Sequence, residues 1–272
     1  MTAPYRSRGE RRDAGPGPPW GVIPLALLAV GFVALPFAAL LQRAPWTSLG
    51  DQLGESVVLD ALRLSLVSAL GATALSLVLG VPLAWVLART PFPGRSLVRG
   101  LVMLPMVLPP VVGGAALLFA FGRRGLLGEP VYEGTGLLLP FSTWGVVVAN
   151  TFVALPFLVI TVEAGLRSAD RRYEDAAATL GASRWTIFRR VTVPMVAPSL
   201  VAGSVLCWAR ALGEFGATVT FAGNLQGRTQ TMPLAVFLAL ESDRDAAIAL
   251  SLVLIAVSLA VLVPLRDRWL AM

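Results

Sequence analysis

Residues 64–88 read LSLVSALGATALSLVLGVPLAWVLA, and the 25 positions from Leu64 to Ala88 carry no charge. An α-helix rises about 1.5 Å per residue, so this stretch exceeds the ~30 Å of hydrocarbon in a bilayer and reads as a membrane span. Asp60 and Arg63 stand just before it, three residues apart, and read as an interfacial ion pair at its outer end. Five further stretches qualify on either side. Trp20–Leu41 is charge-free for 22 residues, Leu101–Phe121 for 21, Phe141–Val162 for 22, Val191–Ala209 for 19 and Ala246–Leu265 for 20. The Val191 stretch then runs on past Arg210 and Glu214. These runs predict an all-α integral membrane protein with six transmembrane helices. The first is too long for the apolar core of a signal peptide, about 7–15 residues, and reads as a retained span.

Composition agrees. Of 272 residues, 56% are apolar and 14% charged, against roughly 25% charged in soluble domains. All 22 basic residues are Arg, and the chain has no His. Without Lys there is no phosphate-loop ATPase and no Schiff-base pump, and without His there is no Ser–His protease. The one Cys, Cys207, makes neither an internal disulfide nor, lacking imidazole partners, a zinc or copper site. The chain reads as a non-enzyme with no cofactor of its own.

The net charge of +6 does not point to nucleic acid, because the Arg residues form clusters between apolar runs and no stripe. Their placement orients the spans. With the N-terminus inside, fifteen Arg fall in cytoplasmic segments and five outside, which predicts a multi-pass protein of the cell membrane with both termini cytoplasmic. Residues 1–19, with Pro16-Gly17-Pro18-Pro19, read as a disordered cytoplasmic tail, and residues 20–272 as the membrane domain. The Trp and Tyr residues read mostly as interfacial anchors, with Trp20 and Trp269 at the cytoplasmic ends of the first and last spans.

One loop, Arg167–Pro194, breaks the pattern. Asp170 is a good N-cap for a short Ala-rich helix that Gly181 closes. Beyond it Trp185, Phe188 and Val191 share a face, with Arg184, Arg189 and Arg190 on others, as in an amphipathic helix leading along the interface into the fifth span. Such an elbow suits docking into a groove on another protein. It equally suits Arg contacts with acidic lipid headgroups.

Asp175-Ala176-Ala177, three residues, Gly181, nine residues and Val191-Thr192-Val193-Pro194 resemble the E-A-A-x3-G-x9-I-x-L-P signature of bacterial ABC importer permeases. Asp175 replaces Glu, with Glu174 beside it, and Val191 and Val193 replace Ile and Leu. Residues 88–95, 104–114 and 212–218 are similar to the molybdate and sulfate permeases of that class. Residues 220–224 and 227–233 look more like the molybdate branch. The resemblance implies the type I ABC importer permease fold. It implies a coupling helix carrying Glu174, Asp175, Ala176, Ala177, Leu180 and Gly181, seated on a cytoplasmic ATPase dimer that binds ATP and Mg. It further implies an extracytoplasmic oxyanion-binding protein, a second copy of the chain, and import of molybdate or tungstate by alternating access. A sulfate or thiosulfate permease is the alternative within the class, and a stand-alone channel or secondary transporter the alternative outside it. The lack of an internal repeat speaks against the last.

Two groups are pathway candidates. Pro109, Pro110, Gly113 and Gly114, with Pro105, interrupt the third span, as a gate or as a static packing kink. Arg210 and Glu214, four apart, fall on one helix face in the outer half of the fifth span. They read as a site that attracts an entering anion or as an ion pair that holds the helix. The segment 223–244 holds a nine-residue apolar piece, Met232–Leu240, too short to span, and is expected to fold back outside.

Overall fold

The computed structural model describes residues 20–269, so the tail read as disordered lies outside the described residues. The chain divides into two units, residues 1–44 and 45–272. The first contributes α1 (Val22–Gln42), apolar all round, with no residue buried. An apolar surface of this kind belongs against lipid.

The second unit holds the remaining helices in the order α2 (Leu49–Leu53), α3 (Ser56–Arg89), α4 (Arg95–Val107), α5 (Pro110–Phe121), α6 (Gly128–Thr135) and α7 (Thr143–Ser168). Then follow α8 (Arg172–Thr179), α9 (Arg184–Ile187), a π-helical turn over Phe188–Thr192, α10 (Val193–Met195), α11 (Ala197–Leu212), α12 (Gly216–Phe221), α13 (Met232–Ser242) and α14 (Arg244–Trp269). There is no strand among the described residues.

Helix α7 is the centre of the second unit, packed between α3 and α11. The stretch from Leu64 supplies the contact. Ser65, Ala69, Ala72, Ser76, Gly80 and Ala84 recur every three or four residues and are all buried, forming a face of small side chains. Small residues let backbones approach, the main route to tight helix pairs where lipid supplies no hydrophobic drive. At Gly80 a Cβ would stand 2.8 Å from Leu158 Cδ2 of α7. Trp208 of α11 is 7% exposed in the same core, so it is a packing residue and not the interfacial anchor expected of a Trp.

Four helices, α1, α3, α7 and α14, are long and apolar enough to cross a membrane alone. The other two expected spans are broken pairs. Helices α4 and α5 meet at a bend of 118°, so Leu101–Phe121 is not one straight span. The cause is local. Leu108 and Pro109 each precede a proline, which drives them into extended conformation (ψ 142° and 132°), and Pro110 then starts a new helix where its missing N–H is harmless. The Val191–Ala209 span is also corrected. Its helix runs from Ala197 to Leu212, and the preceding Arg184–Met195 segment meets it at 70°. Pro194 and Pro198 each remove an N–H from this stretch, and the π-helical turn absorbs the misfit before them. The short apolar piece counted from Met232 is α13, a helix of eleven residues.

Candidate functional site

The loop after α7 builds the first candidate site. Asp170 Oδ1 accepts the Arg172 backbone N–H at 3.0 Å and opens α8. Glu174 and Asp175 sit in the first turn, where the helix dipole favours acids. At the other end Gly181 has φ +82°. The Ala182 N–H donates to Ala177 O at 3.1 Å and the Gly181 N–H to Ala178 O at 3.0 Å, the two bonds of a Schellman closure. Ser183 Oγ then caps the next turn by accepting the Thr186 N–H at 3.2 Å.

The two adjacent acids have separate surroundings. Glu174 faces inward. It pairs with Arg89 Nη2 at 3.3 Å and accepts the Thr192 hydroxyl at 2.8 Å, tying α8 both to the end of α3 and to the π-helical turn before α10. Asp175 is exposed, as are Ala176, Gly181 and Leu180, the last at 88%, whereas Ala177 is half-buried. Behind α8 an apolar cavity of about 580 Å³ opens, lined by Pro82, Trp85, Ala178, Trp185 and Phe188 among others. Trp185 stacks on Phe188 with centroids 5.7 Å apart, so these two side chains do share a face. Phe188 meets Trp85 of α3 edge-on at 6.3 Å.

The broken pair α4–α5 is the second candidate. Pro109 and Pro110 are exposed at its corner. Gly113 and Gly114 are buried and face protein. A Cβ at Gly113 would stand 3.0 Å from the Phe152 ring of α7, and one at Gly114 only 2.7 Å from Thr220 Cβ and 2.8 Å from Ala217 O of α12. The two glycines therefore let α5 press against its neighbours.

Arg210 and Glu214 do pair, at 2.7 Å, but not along one continuous helix. Helix α11 ends at Leu212, and Glu214 lies in the break before α12. Its other oxygen accepts the Ala217 N–H at 2.7 Å, so this carboxylate, 2% exposed, fastens α12 to α11. Asp60 and Arg63 form no ion pair among the described residues, contrary to expectation. Asp60 instead has a carboxylate oxygen 3.7 Å from the Cβ position of Gly227.

Sequence reasoning missed two polar centres. Asn150, in the first third of α7 and 2% exposed, donates from Nδ2 to Ser68 Oγ at 3.3 Å and accepts the Thr218 hydroxyl at 3.3 Å. Ser65 Oγ of the same α3 face accepts the Met232 N–H at 2.7 Å, which brings α13 into the network. The other is Glu163, one residue past the apolar run counted from Phe141. Its carboxylate binds Arg99 and Arg167. The four-residue spacing of Glu163 and Arg167 was the available signal.

Residues 76–271 match the family described as binding-protein-dependent transport system inner membrane component. The molybdenum transport system permease protein ModB of Mycobacterium bovis is 48% identical over 253 residues, covering 92% of this chain and 94% of that protein. The sulfate transport system permease protein CysT of Escherichia coli is 38% identical over 232 residues, covering 84% of this chain and 83% of its own. A chain of a bacterial alginate ABC transporter, solved in complex with alginate pentasaccharide-bound periplasmic protein, shares the fold. Its TM-score is 0.68 at 19% identity, over 89% of this chain and 90% of that one. With most of its length matched in this way, the chain belongs to the inner-membrane permease components of binding-protein-dependent ABC importers.

Proposed function

We propose that this chain is the membrane subunit of an ATP-driven importer of molybdate or tungstate. It works as a pair of identical copies with the anion path between them and both termini in the cytoplasm. A cytoplasmic ATPase dimer binds ATP and Mg and docks on residues 167–194. An extracytoplasmic oxyanion-binding protein delivers the anion to the outer loops. Hydrolysis and delivery switch the pair between inward- and outward-facing forms.

The observation that carries this reading is the division of labour on α8. Glu174 anchors the helix to α3 and to the π-helical turn, while Asp175, Ala176 and Leu180 are left on its exposed side. Force applied to that surface passes into α3 through a charge-assisted bond and into the segment that leads to α11 through a hydroxyl bond. The anion follows from likeness. Identity to the molybdenum permease is 48% and to the sulfate permease 38%, over similar shares of the chain.

The test is uptake of labelled molybdate into vesicles holding the chain, its ATPase and its binding protein. ATP hydrolysis should rise with anion-loaded binding protein and not with free molybdate. Uptake that excess sulfate abolishes and tungstate does not would move the assignment to the sulfate branch. Stimulation by molybdate alone would place a high-affinity site in this chain and overturn the delivery step.

A further inference from the structure

Glu163 lies near the end of α7 and is 5% exposed. Arg99 of α4 reaches it twice, from Nε to Oε2 at 3.4 Å and from Nη2 to Oε1. Arg167, one turn further along α7, reaches Oε1 at 2.8 Å. Among the described residues this is the one ion pair made by either arm of the broken helix.

The two arms are held differently. Helix α5 is wedged, with Gly114 against the backbone of α12. Helix α4 buries none of its residues and leaves Leu97, Leu101, Met106 and Val107 exposed. Val98 and Val102, half-buried, rest against the core around α7, and Arg99 adds the one ion pair between the two helices among the described residues. The hinge at Leu108-Pro109 lies between an arm with no fully buried residue and a wedged one.

A buried carboxylate with a single partner cannot release it without stranding a charge, which is strongly unfavourable. Glu163 has a second partner, and Arg167 sits on the same helix. If Arg99 leaves, Arg167 stays and the carboxylate remains paired. The triad is thus built to let one arginine go.

We propose that Glu163 is a positioning residue of the transport cycle: it latches the α4 arm to α7 through Arg99, and Arg167 makes that latch releasable. The inference rests on the importer reading above and adds that the broken helix moves as the pair switches between its two forms. It predicts effects of opposite sign. Removing Arg99 frees the arm. Removing Arg167 leaves Arg99 as the sole counter-charge and tightens the latch.

The reporter is Met106→Cys on α4, a position 44% exposed, while the native Cys207 is buried. The full transporter with its ATPase is reconstituted in vesicles. Labelling by a membrane-impermeant maleimide is measured with and without ATP plus vanadate, alongside ATP hydrolysis. The otherwise unaltered chain should label at different rates in the two conditions. Arg99→Gln should abolish that difference and raise hydrolysis in the absence of binding protein. Arg167→Gln should hold labelling at its resting value and slow hydrolysis. Arg99→Lys, which keeps the charge, should restore the difference. Glu163→Gln should behave as Arg99→Gln does. If Glu163→Gln fails to assemble, the variants at half-buried Arg99 and exposed Arg167 carry the test unaided. Effects of the same sign in the two arginine variants would mean a purely structural triad and overturn the proposal. So would nucleotide-dependent labelling that survives Arg99→Gln, or labelling without nucleotide dependence in the unaltered chain. Molybdate uptake in the same vesicles tests the parent reading separately, since an importer of another anion keeps the labelling pattern.

Discussion

Gly181 closes α8 in left-handed conformation, and no heavy atom lies within 4 Å of where its Cβ would stand. A side chain there meets only the backbone penalty, about 1 kcal/mol. Gly181→Asp and Ala177→Glu, both outside the spans, should leave the chain inserted in the membrane while uptake and ATPase co-purification fall together. Arg171 and Arg172 to Gln should do much less if the loop grips a protein. If it grips lipid, each contributes ~1 kcal/mol and the order reverses. Pull-down of the ATPase at matched membrane abundance decides, and undiminished binding in both the Gly181 and Ala177 variants would refute the docking assignment. The adjacent acids separate in the same assay. Asp175→Asn should weaken ATPase binding. Glu174→Gln should spare binding and lower transport per ATP, because it cuts the ties to Arg89 and Thr192. Equal loss of binding in both would show that Glu174 is not an internal strap. At this scale the sequence was legible where geometry is local: Gly181 at positive φ, and Arg210 within reach of Glu214. It was not legible for Arg89 with Glu174 or Arg99 with Glu163, pairs 85 and 64 positions apart that only the packing of α8 on α3 and α4 on α7 creates.

Among elements, the contact of α3 with α7 is the most extensive, and its small-residue face is visible in the stretch 64–88 once the partner helix is known. Gly80→Val should be the costly change there, since Leu158 and Val159 of α7 stand 2.8 and 3.2 Å from the new Cβ. Overpacking of this kind costs about 1–3 kcal/mol. Gly134→Val in α6, with nothing within 4 Å, is the control. Thermal unfolding in detergent should fall clearly for the first and little for the second, and equal midpoints would mean that α3 and α7 can slide to absorb the bulk. Proline spacing announced the break in the third span but not its angle, and the break before α11 was not foreseen although Pro194 and Pro198 stand there. An extended Leu108-Pro109 link is compatible with many directions, and the wedge of Gly114 on α12 selects 118°. The π-helical turn had no readable signal, being a compromise between helix α9 below and the prolines above.

On the scale of the whole molecule, the count of crossings fixes which side each end occupies, and the broken pairs make that count a physical question. Helix α4 has thirteen residues and α5 twelve, about 20 and 18 Å at 1.5 Å per residue. Neither alone covers ~30 Å of hydrocarbon. If each pair crosses once, four single helices and two pairs give six crossings and put both termini on one side. If one pair turned back, five crossings would put the termini on opposite sides, and every loop beyond that pair would change face. The arginines choose between these. With six crossings Arg167, Arg171, Arg172, Arg184, Arg189 and Arg190 share the inner face with Arg89, Arg95 and Arg99. With α4–α5 turned back, the first six would lie outside, against the inward bias of basic loops. Reporter fusions after Arg95 and Arg184 should therefore read cytoplasm, and fusions after Glu129 and Gly227 should read the outside. A cytoplasmic signal at Glu129 together with an external one at Arg184 would identify α4–α5 as a re-entrant pair. It would also place α8 beyond the reach of any cytoplasmic ATPase, so the topology and the docking site stand or fall on the same two fusions.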